Sequence, residues 1–552
     1  MSSSPQISVK NQKNKPTQKD YTKIGSSYQL FLPLNFEVQI PNDDPVRLVR
    51  AMVEGMDVKA LYDTYSHVEN KLTSPIQLLE IVIYACMEGI RGSRKIEQSC
   101  KRDTHFMFLL DGKKAPDNAT IARFCSLHLK PCIKELMIQM DKWLLARGFI
   151  TLDSLFIDGT KIESVANKYK FVWKNRILGS QNKLIEKLEQ LVPEIEERFG
   201  IKVCYGNTFH IRHLKKLLKK LLVIKRAEGI EFVHGCGKRK TILQKYYEIL
   251  ANYLKRLKVY TKQLHICGER NSFAKTDPDA TFMRMKEDAM LNGTLKPGYN
   301  VQYANNSGFT LFADVSAHPT DMRTLIPFLE GFEAHFGQKF ANIVADAGYE
   351  SEENLVWLKK NQYTSYIKPN NYERSKRKKY KNDIGKAENM TYLPDQDMYI
   401  CKGRRLLKVS KVTQVKNRSG YVSEKTYYEC KDCSGCPYKE QCIHGNNCRT
   451  PMEKRNKKLV VSKNFAALRA ESLKNITSEY GKELRMNRSI QAEGAFADLK
   501  DSLNVRRLET RGKGNALVTV GICAMARNVL KVHHKVQDGK EDLHLYPLKK
   551  EA

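Results

Sequence analysis

The stretch Ser154-Leu-Phe-Ile-Asp158-Gly-Thr-Lys-Ile-Glu163 opens with an apolar run that predicts a buried β-strand ending at an acidic residue. The stretch Phe340-Ala-Asn-Ile-Val-Ala-Asp346-Ala-Gly-Tyr349 repeats this pattern later in the chain. An acid at the carboxyl end of a buried strand can be reached from solvent while its backbone is held rigidly. The two stretches therefore predict an α/β core in which Asp158 and Asp346 end strands of a sheet.

A third acidic residue, Glu493, lies in the helical pattern Arg488-Ser-Ile-Gln-Ala-Glu493-Gly-Ala-Phe-Ala-Asp-Leu-Lys500. Three such carboxylates can hold two divalent cations over a phosphodiester. Magnesium prefers oxygen ligands, and Mn²⁺ is expected to be able to replace it. Asp158, Asp346 and Glu493 are therefore the candidate catalytic and Mg²⁺-binding residues. In the alternative reading, each aspartate caps a strand end or a turn, and Glu493 is a solvated charge or pairs with Lys500.

Two basic residues flank Glu493 on the same predicted helix. Lys500 follows it by two turns of an α-helix, and residues at that spacing share one face. Lys500 is therefore expected to neutralise a DNA phosphate beside the cations. Arg488, at the start of the helix, is expected to do the same.

The composition points to a polyanionic partner. The chain has 552 residues with 94 Lys and Arg against 61 Asp and Glu, which gives a net charge of +33. Neutralising phosphates releases counterions, so nucleic acid is the expected partner, although a lysine-rich compositional bias would give the same excess. No stretch approaches the roughly 20 apolar residues of a membrane span. The expected setting is the cytoplasm.

Changes in pattern along the chain predict several domains. Helix starts at Ser74-Pro75, Ser93 and Asp117-Asn118 indicate an all-α N-terminal region that either binds DNA or serves dimerisation and packing. Residues 299–303 and 309–315 alternate like paired antiparallel strands. The predicted divisions are a flexible basic arm (1–27), a helical N-terminal domain (28–150), a catalytic domain (151–532) with a helical hairpin insert (175–265) and a cysteine-rich insert (372–470), and a polar tail (533–552).

From about residue 48 to 532, the chain resembles the DDE transposases of bacterial insertion sequences, in the branch with a helical N-terminal domain and a cysteine-bearing insert. Within that range, Ala495-Phe-Ala-Asp-Leu-Lys500 departs from the family, which has a glycine soon after the phenylalanine. Besides the Glu493 helix, the most specific parts are Asp158-Gly-Thr-Lys, Thr276-Asp-Pro-Asp-Ala, Gly298-Tyr-Asn-Val-Gln, Ala345-Asp-Ala-Gly-Tyr and Arg506-Arg507-Leu-Glu-Thr-Arg511-Gly.

The resemblance implies an RNase H-like mixed sheet interrupted by the two inserts. It implies that Asp158, Asp346 and Glu493 form the metal-binding triad, and that Arg506, Arg507 and Arg511 contact DNA. The expected activity is binding to double-stranded terminal inverted repeats, metal-dependent cleavage and strand transfer into target DNA. A synaptic homodimer is implied, with no membrane and no small-molecule substrate. Two alternatives remain, an RNase H-like nuclease without strand transfer and a non-catalytic DNA-binding protein derived from a transposase.

A cluster of cysteines marks the second insert. CxxC spacing lets two thiolates converge on one tetrahedral ion, so a structural Zn²⁺ is expected in an otherwise loop-rich segment. An iron–sulfur cluster and unmetallated thiols are the alternatives. Cys401, His444 and Cys448 are possible substitutes for a fourth ligand, whereas Cys86, Cys125 and Cys523 lie in apolar helix patterns and are expected in the core. The expected zinc ligands are Cys430, Cys433, Cys436 and Cys442.

Overall fold

The computed structural model of the chain describes residues 40–66, 73–206, 209–235, 237–285, 293–444 and 450–548. The chain divides into two compact units, residues 1–42 and 43–552. The basic arm predicted at residues 1–27 and the candidate ligand Cys448 lie outside the described residues. All that follows concerns the second unit, which is mixed α/β.

The N-terminal part of this unit is helical. Ser74 caps one helix as predicted, because its hydroxyl accepts a hydrogen bond from Gln77 N while the Gln77 side chain accepts one from Ser74 N. Asp117 caps another, because its carboxylate accepts a hydrogen bond from Thr120 N. The described helices are α1 (Pro45–Glu54), α2 (Lys59–Tyr62), α3 (Pro75–Met87), α4 (Ser93–Cys100), α5 (Thr104–Leu109), α6 (Asn118–Arg123) and α7 (Leu129–Ala146), with a π-helical turn Phe124–His128 before α7.

The strands that follow form a six-stranded mixed sheet and a separate two-stranded one. They are β1 (Ser154–Glu163), β2 (Phe171–Trp173), β3 (Ser272–Ala274), β4 (Thr281–Arg284), β5 (Leu295–Asn306), β6 (Phe309–Ser316), β7 (Asn342–Ala345) and β8 (Thr364–Ile367). The large sheet has the order β4-β5-β1-β7-β8, with β6 also paired to β5, while β2 pairs with β3.

Strand directions divide the large sheet into two halves. β5 runs antiparallel to β1, β4 and β6, whereas β7 is parallel to β1 and β8 is parallel to β7. The predicted hairpin between β5 and β6 is confirmed, and its turn residues Ser307 and Gly308 both have positive φ, as a two-residue hairpin turn requires. β1 is therefore the strand at which the antiparallel and parallel halves meet.

Three helices lie between β2 and β3, where the sequence predicted a two-helix hairpin. They are α8 (Lys174–Phe199), α9 (Ile211–Ala227) and α10 (Ile242–Cys267). The hairpin prediction was wrong because it counted only the leucine stripes of α9 and α10. Leu184, Leu188 and Val192 of α8 are buried in the same apolar cluster as Leu217 and Leu250, so the core of this insert needs all three helices.

The cysteine-bearing segment is a five-stranded antiparallel sheet, and the expectation of a loop-rich insert was wrong. Each strand of this sheet pairs with the strands next to it along the chain. Residues 422–430 alternate in burial, as expected for a strand with one solvated face, whereas residues 406–416 are exposed except at Leu407 and Thr413. From β6 onward the elements are α11 (Leu325–Phe336), α12 (Glu352–Lys360), α13 (Tyr372–Ser375), α14 (Lys378–Lys381), β9 (Thr391–Leu393), β10 (Met398–Ile400), β11 (Leu406–Lys416), β12 (Val422–Cys430), α15 (Lys439–Cys442) and β13 (Lys458–Val461).

Helices cover both faces of the large sheet. On one face, Phe156 and Val344 pack against Ile476 and Leu484. On the other face, the ring of Phe312 lies 5.3 Å from that of Phe328 in α11. The closing helices are α16 (Lys463–Thr477), α17 (Glu479–Arg488), α18 (Gly494–Ala497) and α19 (Lys513–Gln537), with π-helical turns Ser489–Glu493 and Asp498–Ser502 on either side of α18.

Helix α19 packs on β6 and on α3 and α7, so it connects the large sheet with the helical N-terminal region. Cys523 Sγ of α19 lies 3.1 Å from Cys86 Sγ of α3, and both cysteines are buried, as predicted. The helix is long and apolar enough to cross a membrane, but 72% of its apolar window is buried in the structure. Beyond it, Tyr546 N donates to Asn487 Oδ1, so part of the predicted polar tail contacts the core.

Candidate active site

Asp158 lies in the middle of β1, not at its end as the sequence predicted, because β1 continues along β5 as far as Glu163. Its parallel neighbour does end at this level, since Ala345, the last residue of β7, pairs with Ile157. The sheet is therefore open on that side of Asp158. The Asp158 carboxylate is buried and accepts hydrogen bonds from Gly159 N at 2.8 Å and from Arg488 Nη1 at 3.1 Å.

Asp346 directly follows β7, as predicted, and so lies at the same level as Asp158 on the neighbouring strand. Its carboxylate caps the short 3₁₀ turn Ala347–Tyr349, because Oδ1 accepts a hydrogen bond from Gly348 N at 2.7 Å. The side chain is half-buried. Parallel pairing thus brings together two acids that are far apart in sequence.

Glu493 comes from the closing helices and also lies beside Arg488. It ends the π-helical turn Ser489–Glu493, and its exposed carboxylate lies 3.4 Å from Arg488 Nη2. Because the other terminal nitrogen of Arg488 contacts Asp158, one largely buried guanidinium lies between these two acids. The structure therefore places all three predicted acids around one end of β7.

A fourth acid lies close to Asp346, next to Gly348. Asp321, in the 3₁₀ turn Asp321–Arg323 before α11, accepts hydrogen bonds at Oδ1 from Asn300 Nδ2 at 2.7 Å and Gln302 Nε2 at 3.0 Å. The Tyr349 hydroxyl in turn donates to Gln302 Oε1. Burial, together with the carboxylates of Asp321, Asp158 and Asp346, raises the pKa of Tyr349 well above its ordinary value. Sequence alone does not single out Asp321, because a turn acid after a strand has no distinctive spacing.

The donor set of this site is made of carboxylate oxygens, which suits hard divalent cations. As they stand, no three His, Cys, Asp or Glu side chains of the described residues are close enough together to hold one ion. At the acid site the Arg488 guanidinium separates the Asp158 and Glu493 carboxylates. The chemistry of the residues fits Mg²⁺, and the positions of their side chains would have to adjust to bind it.

The predicted basic DNA contacts are spread over a wider surface. Arg506 pairs with Asp501, Arg507 donates to the carbonyl oxygens of Ser164 and Val165, and Arg511 is exposed. Lys500 lies in the π-helical turn Asp498–Ser502, which changes the angular spacing that a regular α-helix would give from Glu493. Arg488 forms ion pairs with two of the acids, Asp158 and Glu493.

The Thr276-Asp-Pro-Asp-Ala motif has a structural role through its first aspartate. Asp277 is fully buried, and its carboxylate accepts hydrogen bonds from the hydroxyls of Ser164 and Tyr299 and from Gly512 N. It therefore ties the end of β1 to β5 and to the start of α19. Sequence alone missed these long-range partners because they come from three separate segments.

The cysteine cluster is assembled in the small sheet. Gly403 lies where a methyl group would be 3.2 Å from Cys436 Sγ and 3.8 Å from Cys401 Sγ, so the turn before β11 brings Cys401 into the cluster. His444 instead contacts Asp383, with its Nε2 atom 2.9 Å from Asp383 Oδ1. Burial raises the pKa of Cys430 to about 11. Five cysteines line the same small cavity, namely Cys401, Cys430, Cys433, Cys436 and Cys442.

Two family models match the chain. The model described as a transposase DDE domain matches residues 400–533, which include the cysteine cluster and Glu493. The model described as a transposase domain (DUF772) matches residues 34–127 in the helical N-terminal region. No curated protein and no solved structure gives a match. Transposase domains thus match two separate parts of the chain, and its resemblance to the DDE transposases of bacterial insertion sequences is confirmed.

Proposed function

We propose that this chain is an insertion-sequence transposase that cuts DNA at terminal inverted repeats and joins the ends to target DNA. The observation that carries the proposal is the convergence of Asp158, Asp346 and Glu493 at the end of β7. The resemblance implies an RNase H-like sheet. The order β6-β5-β1-β7-β8, antiparallel on one side of β1 and parallel on the other, supports that fold.

In this proposal the three carboxylates hold two Mg²⁺ ions, for which Mn²⁺ can substitute. When bound, such ions supply activation of a water or a 3′-hydroxyl and stabilisation of the leaving oxygen. Asp158 and Asp346 contribute oxygens from backbone that the sheet holds rigidly. Glu493 is exposed and lies on a π-helical turn, so it contributes from the side on which DNA would approach.

We infer that Arg488 is an internal counter-charge in the DNA-free protein. A guanidinium binds phosphate as well as carboxylate, and often with two parallel hydrogen bonds. The exchange of Arg488 from Asp158 and Glu493 to a DNA phosphate would free both acids for cations. Lys500, Arg506, Arg507 and Arg511 are the further DNA contacts that we propose, and Arg506 would have to leave Asp501 in the same way.

The proposed partners are double-stranded DNA with terminal inverted repeats, and target DNA. Action on two ends implies a homodimer in the synaptic complex. The proposed setting is the bacterial nucleoid. We also propose that the cysteine cluster holds a structural Zn²⁺ through Cys430, Cys433, Cys436 and Cys442, because thiolates on a small sheet are typical ligands of such an ion.

The central experiment uses DNA carrying the inverted repeats that flank the gene. Asp158→Asn, Asp346→Asn and Glu493→Gln are each expected to abolish Mg²⁺-dependent cleavage while leaving the fold and end binding nearly intact. Asp314→Asn is the matched control, because Asp314 lies on strand β6 and forms an ion pair with Lys134. Cleavage near the wild-type rate by any of the three variants would remove that residue from the triad. A joining assay with precleaved ends separates a transposase from a nuclease without strand transfer.

A further inference from the structure

We propose that Asp321 is a fourth acidic residue of the cation site, beside Asp346. The proposal rests on the proposed function and adds a residue that the three-acid motif does not contain. Asp321 comes from the turn between β6 and α11, a segment that supplies none of the three predicted acids. The site would then take one acid each from four segments of the chain.

The two oxygens of Asp321 have different surroundings. Asn300 Nδ2 and Gln302 Nε2 both donate to Oδ1, which fixes the carboxylate plane. The other oxygen, Oδ2, faces Gly348, where a methyl group would be 3.3 Å away. One oxygen is therefore used for positioning, and the second is directed at the turn that Asp346 caps.

Asp346 lies beside the same glycine. A methyl group at Gly348 would lie 3.0 Å from Asp346 Oδ1, so this oxygen and Asp321 Oδ2 are separated by no more than the sum of the two distances. Two carboxylates within that limit can bind one Mg²⁺, or two ions about 4 Å apart, once their side chains adjust. In the part of the chain that the structure describes, neither carboxylate lies within salt-bridge distance of a basic side chain. Two neighbouring anions without a counter-charge favour a cation between them.

The alternative role of Asp321 is a purely structural acceptor for Asn300 and Gln302. Asparagine would serve that role almost equally well, because its Oδ1 can accept the same two hydrogen bonds. It would, however, place an NH₂ group where Oδ2 faces Asp346. Asp321→Asn therefore removes the charge while keeping the positioning contacts, and it separates the two roles.

The experiment measures Mn²⁺ binding to the full chain without DNA, by electron paramagnetic resonance of the free ion. Asp321→Asn is expected to weaken Mn²⁺ binding by at least about tenfold, with an unchanged melting temperature. Asp321→Glu, which keeps the charge, is expected to recover most of the binding. Asp314→Asn, whose carboxylate pairs with Lys134 at 2.8 Å, is the control and should bind as wild type.

Asp158→Asn tells the two proposals apart. If Asp158→Asn loses Mn²⁺ while Asp321→Asn binds it as wild type, Asp321 is only structural and the proposed function stands. If Asp158→Asn also binds as wild type, the cation site itself is wrong. If Asp321→Asn lowers the melting temperature, the Asp321→Glu variant decides, because failure of this folded variant to bind Mn²⁺ better than Asp321→Asn would overturn the inference.

Discussion

Asp158 and Gly159 are adjacent residues of β1 that face opposite sides of the sheet. Successive strand residues point to opposite faces, so Asp158 meets Arg488 on one face. On the other face the missing side chain of Gly159 leaves room for Gln302, Asp321 and Tyr349, whose polar atoms all lie near the position of a Cβ. The dipeptide therefore supplies a charged group to one side of the sheet and space to the other.

We expect Gly159→Ala to reduce DNA cleavage strongly while the protein stays folded. A methyl group there would be 2.6 Å from Asp321 Oδ1 and 3.1 Å from the Tyr349 hydroxyl, so this hydrogen-bonded group must shift. Cleavage rate and melting temperature are the measurements. Gly179→Ala is the control, because nothing lies within 4 Å of that added carbon, and alanine should stabilise helix α8 by about 1 kcal/mol. Full activity in Gly159→Ala would show that the group around Gln302 has no part in the reaction.

Glu80 makes the stability of the helical region depend on pH. It is 2% exposed in α3, and burial, partly opposed by Arg50, raises its pKa from 4.5 to about 7. Because the folded-state pKa is the higher one, its contribution to stability is fully present below pH 4.5 and is lost as pH rises through about 7.

Glu80→Gln should therefore raise the melting temperature at pH 8 and have little effect at pH 5, with a stabilisation at pH 8 on the order of 1–3 kcal/mol. Thermal unfolding at the two pH values is the measurement. The exposed Glu330→Gln is the control and should show no such difference. A Glu80→Gln effect of equal size at pH 5 and pH 8 would mean that packing, not charge, is responsible.

At the scale of elements, the small sheet tests the zinc proposal. Protein purified without added metal is expected to contain about one Zn²⁺ per chain by elemental analysis. Cys433→Ser and Cys436→Ser should lose the ion and loosen residues 391–461 in hydrogen exchange more than the large sheet, since metal affinity there is local folding energy. Cys204→Ser, at an exposed position, is the control.

Cys401→Ser identifies the role of the fifth cysteine in the cluster. It should keep the zinc, and loss of the ion would place Cys401 in the ligand set instead of one of the four proposed residues. Iron with visible absorbance would favour a cluster, and a metal-free but active protein would contradict a structural ion.

Elements with a local signal were predictable, and those decided by distant partners were not. The cap at Ser74 and the β5–β6 hairpin depend on residues within a few positions of each other, and both are confirmed. The length of β1 is set by pairing with β5, whose first residue lies more than a hundred positions later, so sequence placed the end of the strand too early. The polar, lysine-rich strand β11 lacks a continuous apolar face and was read as loop.

At the scale of the whole molecule, the excess of positive charge should govern DNA affinity. Binding of Asp158→Asn to terminal-repeat duplex is expected to fall by at least about tenfold between 50 and 200 mM salt, because phosphate contacts release counterions. Fluorescence anisotropy across a salt series measures the slope.

Paired variants locate the contacts. The double change Arg94→Gln and Lys95→Gln, at exposed positions of α4, should lower the slope by about two. Lys255→Gln with Lys258→Gln does the same for the helical insert. An affinity that stays constant with salt would indicate a protein partner or a compositional bias.

The three acids could be chosen from sequence because each follows a recognisable local pattern. The position at which the three acids come together could not be predicted. It depends on the β1–β7 register and on the π-helical turn that ends at Glu493. The contribution of Asp321 depends on the turn at Gly348 and on two amides of β5, none of which has a sequence signature.

The packing of α19 against α3 and α7 has a consequence during translation. The ribosome makes the helices that receive α19 long before α19 itself, so this part of the core stays incomplete until residue 537 has been added. At about 5–20 residues per second, that delay is roughly half a minute to two minutes. A message broken or stopped before codon 493 yields helices and strands but no third acid. Under the proposed function, a chain that ends before Glu493 should therefore be unable to cut DNA.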